Sequence, residues 1–183
     1  MTDDQDYEEI RDSVRHLCQE FPPPYWRDLD RRTAYPDDFV NALTQAGFLA
    51  ALIPEEYGGS GLPLIAAAVI LEEIQLQGCN GAACHAQMYI MGALLRHGSE
   101  EQKQRFLPRI AKGEIRLQAF GVTEPTSGTD TTSITTFAKR EGDDYIVNGQ
   151  KIWTSRAAQS DLMLLLARTT EKEKVSKRTD GLS

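Results

Sequence analysis

Near Lys112 the hydrophobic period of the chain changes, and that change sets what it can fold into. Before it, apolar residues recur at helical spacing. Ile10, Val14, Leu17, Cys18 and Phe21 fall at i, i+4, i+7, i+8 and i+11, on one helical face. Asp6, Glu8 and Glu9 lie in the opening turns, where carboxylates suit the positive end of the helix dipole. Pro22-Pro23-Pro24 breaks this helix, because proline lacks an N–H and its ring clashes with the preceding turn. A second short helix is predicted from Pro36, with Asp37 and Asp38 in its first turn, Gly47 as C-cap, and Phe39, Leu43 and Ala46 as its apolar face. Residues 64–77 and 80–96 are apolar nearly all round, which predicts two longer buried helices. Ser99 opens another helix with Gln102 at capping-box spacing, expected to end or kink near Pro108.

After Lys112 the runs shorten. Residues 117–123, 133–139, 145–148 and 162–167 are β-branched or apolar, punctuated by turn chemistry at 124–128 and 141–144. Ile134 and Thr136 should face one way, Thr135 and Phe137 the other. Asp143-Asp144 fits a hairpin turn, and 169–180 a polar surface loop. The predicted class is therefore α+β: an all-α domain over 1–112, then an incomplete antiparallel β domain over 113–183.

A net charge of −7 argues against a nucleic-acid partner gripped through its phosphates, which needs a basic surface. Cys18, Cys79 and Cys84 are odd in number and make no disulfide framework. The first ten residues lack the basic and apolar regions of a secretory signal and are too acidic for a mitochondrial transit peptide. The longest apolar stretch, 62–74, is too short to span a bilayer and carries Glu72 and Glu73 at its end. A cytoplasmic protein without a membrane span is the expectation.

Two segments carry chemistry. Thr123, Thr126, Ser127, Thr129, Asp130, Thr131 and Thr132 crowd polar groups around Gly121 and Gly128, where a backbone can approach a ligand and hydroxyls can meet phosphate or carbonyl oxygens. Trp153-Thr154-Ser155 sets a flat apolar surface beside two hydroxyls, which suits a planar heteroaromatic with polar edges. A Ser/Thr-rich turn and a core tryptophan would read the same way.

Thr123-Glu124-Pro125-Thr126-Ser127-Gly128-Thr129-Asp130 and Asn148-Gly149-Gln150-Lys151-Ile152-Trp153-Thr154-Ser155 resemble the paired flavin segments of the acyl-CoA dehydrogenase family. So do their flanks: Gly47-Phe48 and Ile53-Pro54-Glu55-Glu56-Tyr57-Gly58-Gly59-Ser60-Gly61 are similar to its first interhelical loop. His97-Gly98-Ser99-Glu100-Glu101-Gln102-Lys103 and Leu107-Pro108 are similar to the helix before its β domain. The resemblance covers nearly the whole chain in order. It implies FAD as cofactor, with Phe120, Val122 and Thr123 lining the isoalloxazine ring. Gly128 and Thr129 would lie near the pyrophosphate, Trp153 would pack on the ring, and Thr154 would stand beside it. Ser155 would stand where the family has a threonine that reaches flavin N5. Thr129, Met88 and Met91 would meet the acyl-CoA, though at helical spacing Met88, Met91 and Leu95 read equally as core. Thr129 replaces a serine, Ser127 an alanine, and Thr154-Ser155-Arg156 replaces Ile-Thr-Asn. Arg156 puts a full charge near the flavin or on the surface.

The implied reaction is α,β-dehydrogenation of an acyl-CoA thioester. A carboxylate takes the α proton, the β hydride goes to flavin N5, and electrons pass to an electron-transferring flavoprotein. In the family that base is a glutamate in a C-terminal four-helix domain, absent from these 183 residues, so the chain alone is expected to be inactive and the full-length protein to be a homo-oligomer. No catalytic residue is assigned within it: Glu124 belongs to the Thr-Glu-Pro turn, and carboxylates so placed are mostly structural. Cys79, Cys84 and His85 share no helix face and read as small core residues rather than a zinc site. The alternatives are a non-catalytic remnant that binds flavin or acyl-CoA, and a helical subunit-interaction module. Visible flavin and turnover separate them.

Overall fold

The computed structural model describes residues 7–183, so Asp6 lies outside the described residues. It divides the chain into two compact units, one running to Leu117 and one from Gln118. The first holds helices α1 (Glu8–Gln19), α2 (Pro23–Arg32), α3 (Asp37–Gln45), α4 (Leu64–Leu76), α5 (Ala82–His97) and α6 (Glu100–Ala111).

The stripe on α1 is the core-facing one: Val14 and Cys18 are buried, and Ile10, Leu17 and Phe21 pack against the core. The proline triplet does end α1, but it also opens α2, which the sequence reading missed. Pro23 and Pro24 occupy the first turn of α2, where no N–H is needed. α2 supplies Tyr25 and Trp26 to an aromatic joint. Phe39 of α3 meets Phe21 edge-on at 5.1 Å and Trp26 at 4.9 Å. The Trp26 indole donates to the Phe21 carbonyl at 2.9 Å. α3 begins and ends as expected, with Gly47 just past its end in left-handed backbone. Its inner face is Phe39, Val40 and Leu43, while Ala46 is exposed.

α4 and α5 are less enclosed than their composition suggests. Leu64, Ile65 and Leu76 on α4 and Tyr89 on α5 are exposed, because each helix buries only the face that meets its neighbours. α4 also buries Glu73, which accepts from Arg15 at 3.1 Å and Gln77 at 2.7 Å. α6 has its capping box: Ser99 Oγ accepts from the Gln102 amide at 3.2 Å and the Gln102 side chain accepts from the Ser99 amide at 2.9 Å. It does not stop at Pro108 but runs on to Ala111. An interior proline costs a helix about 3 kcal/mol. Leu107 and Ile110, both fully buried, flank it and anchor the last turn in the core.

The second unit holds β1 (Leu117–Gly121), β2 (Phe137–Glu141), β3 (Asp144–Asn148) and β4 (Leu162–Leu165). β1 pairs with β4, and β2 pairs antiparallel with β3 from Phe137↔Asn148 to Glu141↔Asp144. The hairpin turn is Gly142-Asp143, one residue earlier than the sequence suggested, because Gly142 takes the left-handed conformation (φ 65°) that such turns need. Gly181 and Ser183 bond back to Thr169 and Ala167, with Ala167 and Ser183 exchanging both amides at 2.9 Å. β2 starts at Phe137 rather than 133, because Thr131–Ser133 winds a short 3-10 turn. The alternation still holds: Ile134 and Thr136 are buried and Thr135 is exposed. No helix among the described residues is long and apolar enough to cross a membrane.

Phe39→Ala should cost the helical unit about 3–5 kcal/mol through cavity and lost ring contacts. Ser99→Ala should cost about 1 kcal/mol. Chemical denaturation checks both; equal losses would mean that the aromatic joint is not what holds α1 to α3.

Candidate functional site

The candidate site lies in the second unit, where β1 leads into a tight turn. Glu124 and Ser127 close that turn with two backbone bonds, 3.0 and 3.1 Å. Pro125 fits the turn's first corner. Much of the hydroxyl cluster is spent inside the loop. Ser127 Oγ donates to the Asp130 carbonyl at 2.5 Å, and Thr132 and Ser133 donate to the Asp130 carboxylate at 2.5 and 2.6 Å. The Ser133 and Thr132 hydroxyls, with the Arg178 guanidinium beside them, bring the Asp130 carboxyl down to about 2. Gly128 and Thr129 remain exposed at the loop's edge. A Cβ at Gly128 would meet nothing within 4 Å, so nothing in the chain itself demands glycine there.

The second segment is locked to the first. Ile152 N–H donates to the Thr123 carbonyl at 2.9 Å, and Lys151 Nζ donates to the Val122 carbonyl at 2.9 Å and to Glu124 Oε1 at 2.9 Å. Glu124 is buried and also accepts from the Thr135 amide at 2.7 Å, the Thr135 hydroxyl at 2.9 Å and the Thr136 amide at 2.9 Å. Burial alone would raise its pKa. The Thr136 side chain close by, the Lys151 ammonium and the Thr135 and Thr136 amides outweigh burial and hold the carboxyl well below the usual carboxylate range. Such a group is a structural anion and a poor proton acceptor. Asn148-Gly149 then passes hard against Thr136: a Cβ at Gly149 would lie 2.6 Å from the Thr136 Cα, so only glycine fits.

Beyond this lock the chain presents Trp153, which is 85% exposed and stands in left-handed backbone at φ 59°. That conformation costs a bulky residue about 1–2 kcal/mol. Thr154 is half-buried and Ser155 exposed. Phe120 is the outward-facing residue of β1, 36% exposed among buried neighbours; Val122 and Thr123 are half-buried. Phe120, Val122, Thr123, Gly128, Thr129, Trp153, Thr154 and Ser155 thus all belong to one unit. An exposed indole beside hydroxyls, with open space over Gly128, fits a planar ligand with polar edges and a phosphate tail. Met88 and Met91 lie elsewhere, on α5 in the helical unit. Both are buried, and Met88 is part of the core cluster, its sulfur 3.9 Å from that of Cys84. Cys18, Cys79 and Cys84 are free and buried, and burial pushes the Cys84 thiol up to about 12.

Two functional supports escaped the sequence reading. Lys151 lies within the segment 148–155, and its only signal in the sequence is an opposite charge, Glu124, in the partner segment. Arg168 is buried with its guanidinium on the carbonyls of Thr132 (2.7 Å), Ile134 (3.2 Å), Arg178 (3.4 Å) and Asp180 (3.4 Å), tying the polar loop to the Thr129 loop. A lone arginine at the end of an apolar run gives no such signal.

A helical unit followed by a small β unit with two interlocked segments is an α+β architecture. The model of the acyl-CoA dehydrogenase N-terminal domain matches residues 4–114 and that of the middle domain matches 119–183, and the chain belongs to the acyl-CoA dehydrogenase family. It is 34% identical over 167 residues to the probable acyl-CoA dehydrogenase fadE25 of Mycobacterium leprae, covering 90% of this chain and 42% of that one. It is 32% identical over 181 residues to the short-chain specific acyl-CoA dehydrogenase of Clostridium acetobutylicum, covering 98% and 46%. The crystal structure of an acyl-CoA dehydrogenase from Geobacillus kaustophilus matches with a TM-score of 0.87 at 28% identity, covering 100% of this chain and 47% of that one. The chain spans less than half the length of these relatives.

Glu124→Ala and Lys151→Met should each cost the β unit about 3–5 kcal/mol, because each leaves a buried charge unpaired. Since the folded carboxyl lies below its ordinary value of 4.5, its contribution is fully present above that pH and drains away as pH falls through the folded value. Unfolding measured from neutral to acid pH checks this: wild type should lose stability that Glu124→Ala has already lost. Parallel curves for the two proteins would contradict it.

Proposed function

We propose that the protein is an FAD-dependent acyl-CoA dehydrogenase, which removes the α and β hydrogens of an acyl-CoA thioester. The observation that carries this reading is the lock of Glu124 on Lys151 and of Thr123 on Ile152, which ties the segment that bears Trp153 and Ser155 to the segment that bears Thr123. FAD held there would supply the acceptor for the β hydride. Trp153 packs on the ring with Phe120 and Val122 lining it. Thr123 donates to its polar edge, and Ser155 donates to N5 with Thr154 beside it. Gly128 lets the backbone approach the diphosphate, and Thr129 offers a hydroxyl to the diphosphate and to the acyl-CoA. By the family resemblance, Met88 and Met91 are the helical unit's contribution to acyl-chain contact.

The α proton goes to a carboxylate. Glu124 is already filled with donors, so no residue of 1–183 is assigned that role. By the family resemblance the base is a glutamate of a C-terminal helical domain. The same reading makes an electron-transferring flavoprotein the acceptor of the electrons, and the full-length protein a cytoplasmic homo-oligomer.

The test is to isolate the native gene product and add acyl-CoA thioesters of different length under anaerobic conditions. Bleaching of a visible flavin, and its return on adding an electron-transferring flavoprotein, is the expected result. Flavin without bleaching by any thioester would favour a non-catalytic flavin-binding protein, and no flavin would overturn the reading. Trp153→Ala should weaken flavin binding about tenfold, the loss expected for one ring-stacking contact. Unchanged affinity would place the indole away from the ring.

A further inference from the structure

The short turn after Lys151 contains two non-glycine residues in left-handed backbone, Trp153 and, at φ 57°, Arg156. Arg156 is half-buried, and its Nε is shut off from solvent without a hydrogen-bond partner among the described residues. A buried polar atom is ordinarily satisfied, and a buried charge ordinarily paired. The other cations around the site follow that rule. Lys151 is paired with Glu124, Arg178 with Asp130, and Arg168 rests on backbone carbonyls. Those pairings also occupy the two carboxylates of the ligand-facing segments. Arg156 thus carries a permanent charge into a strained turn, with its Nε unmet among the described residues.

A ligand group that accepts a hydrogen bond and carries or gains negative charge would satisfy it. Arg156 directly follows Ser155 and lies three residues from Trp153, the residues read above as facing the flavin ring. The residues read as facing the diphosphate, Gly128 and Thr129, are on the other segment. The ring is neutral when oxidised and gains negative charge on reduction. Resting on that flavin reading, we infer that Arg156 supplies the positive charge that favours the reduced, anionic ring, and so raises the cofactor's reduction potential. It is a positioning and tuning residue: it need not touch the substrate. A fixed cation at the ring acts through Coulomb attraction that a dry site strengthens.

The experiment uses the flavin-loaded native gene product as wild type, Arg156→Gln and Arg156→Lys. Flavin content is measured first: a wild type without flavin overturns the flavin reading itself. With flavin present, the potential is read by anaerobic reduction in equilibrium with a reference dye. Arg156→Gln should shift the equilibrium about tenfold toward the oxidised form, ~30 mV for a two-electron couple. Oxidised FAD should bind within about threefold of wild type. Arg156→Lys should restore most of the potential, which a merely packing role would not do. An unchanged potential in Arg156→Gln overturns the assignment, and so does a loss of FAD affinity at unchanged potential, which would move the residue to the diphosphate. Arg156→Met keeps the apolar stem without the charge and gives the same reading if the glutamine variant does not fold.

Discussion

One buried carboxylate holds the β unit's working surface together. Glu124 takes donors from Lys151, from the Thr135 amide and hydroxyl, and from the Thr136 amide. Two stretches, 11 and 27 residues along the chain, converge on it. A charge in the interior is costly unless its lone pairs are met, and here they are met by a cation and by amides that would otherwise join a ladder. That diversion is why β2 begins at Phe137 and not earlier. Lys151 in turn holds the Val122 carbonyl. The positions of Trp153 and Ser155 follow from where Lys151 and Ile152 are pinned.

What the sequence showed follows from periodicity and spacing. The α1 stripe, the capping box at Ser99 and the β2–β3 hairpin are local patterns, and local patterns survive into the fold. The misses have non-local causes. Pro23 and Pro24 were read as breakers, yet the same missing N–H makes them suited to start α2. Pro108 marks where the sequence predicts an end or a kink, and the burial of Leu107 and Ile110 carries α6 on to Ala111. In the site, the motif residues were found by resemblance, but Glu124 had no visible partner until the fold brought Lys151 to it. Arg168 was invisible because its partners are carbonyls, which no side-chain pattern records.

The two segments divide into groups turned inward and groups turned outward. Ser127, Thr132, Ser133, Asp130 and Arg178 satisfy one another and fix the loop. Trp153 and Arg156 do the reverse: both hold strained backbone, and neither an 85% exposed indole nor an unpartnered buried Nε is explained by the unit's own packing. Strain that packing does not repay clusters at ligand sites, and it supports the flavin reading proposed for these residues. This contrast separates scaffold from site within a dozen residues of each segment.

The account depends most on Glu124 being a fixed anion rather than a proton acceptor. Its side-chain carboxyl carbon can be followed by NMR as pH is lowered, with Glu124→Gln assigning the resonance. The lock predicts a signal that stays in the ionised position down to about pH 4 and moves only below it. A midpoint at about pH 6–7, the range of a tuned general base, would contradict the lock and return Glu124 to the chemistry.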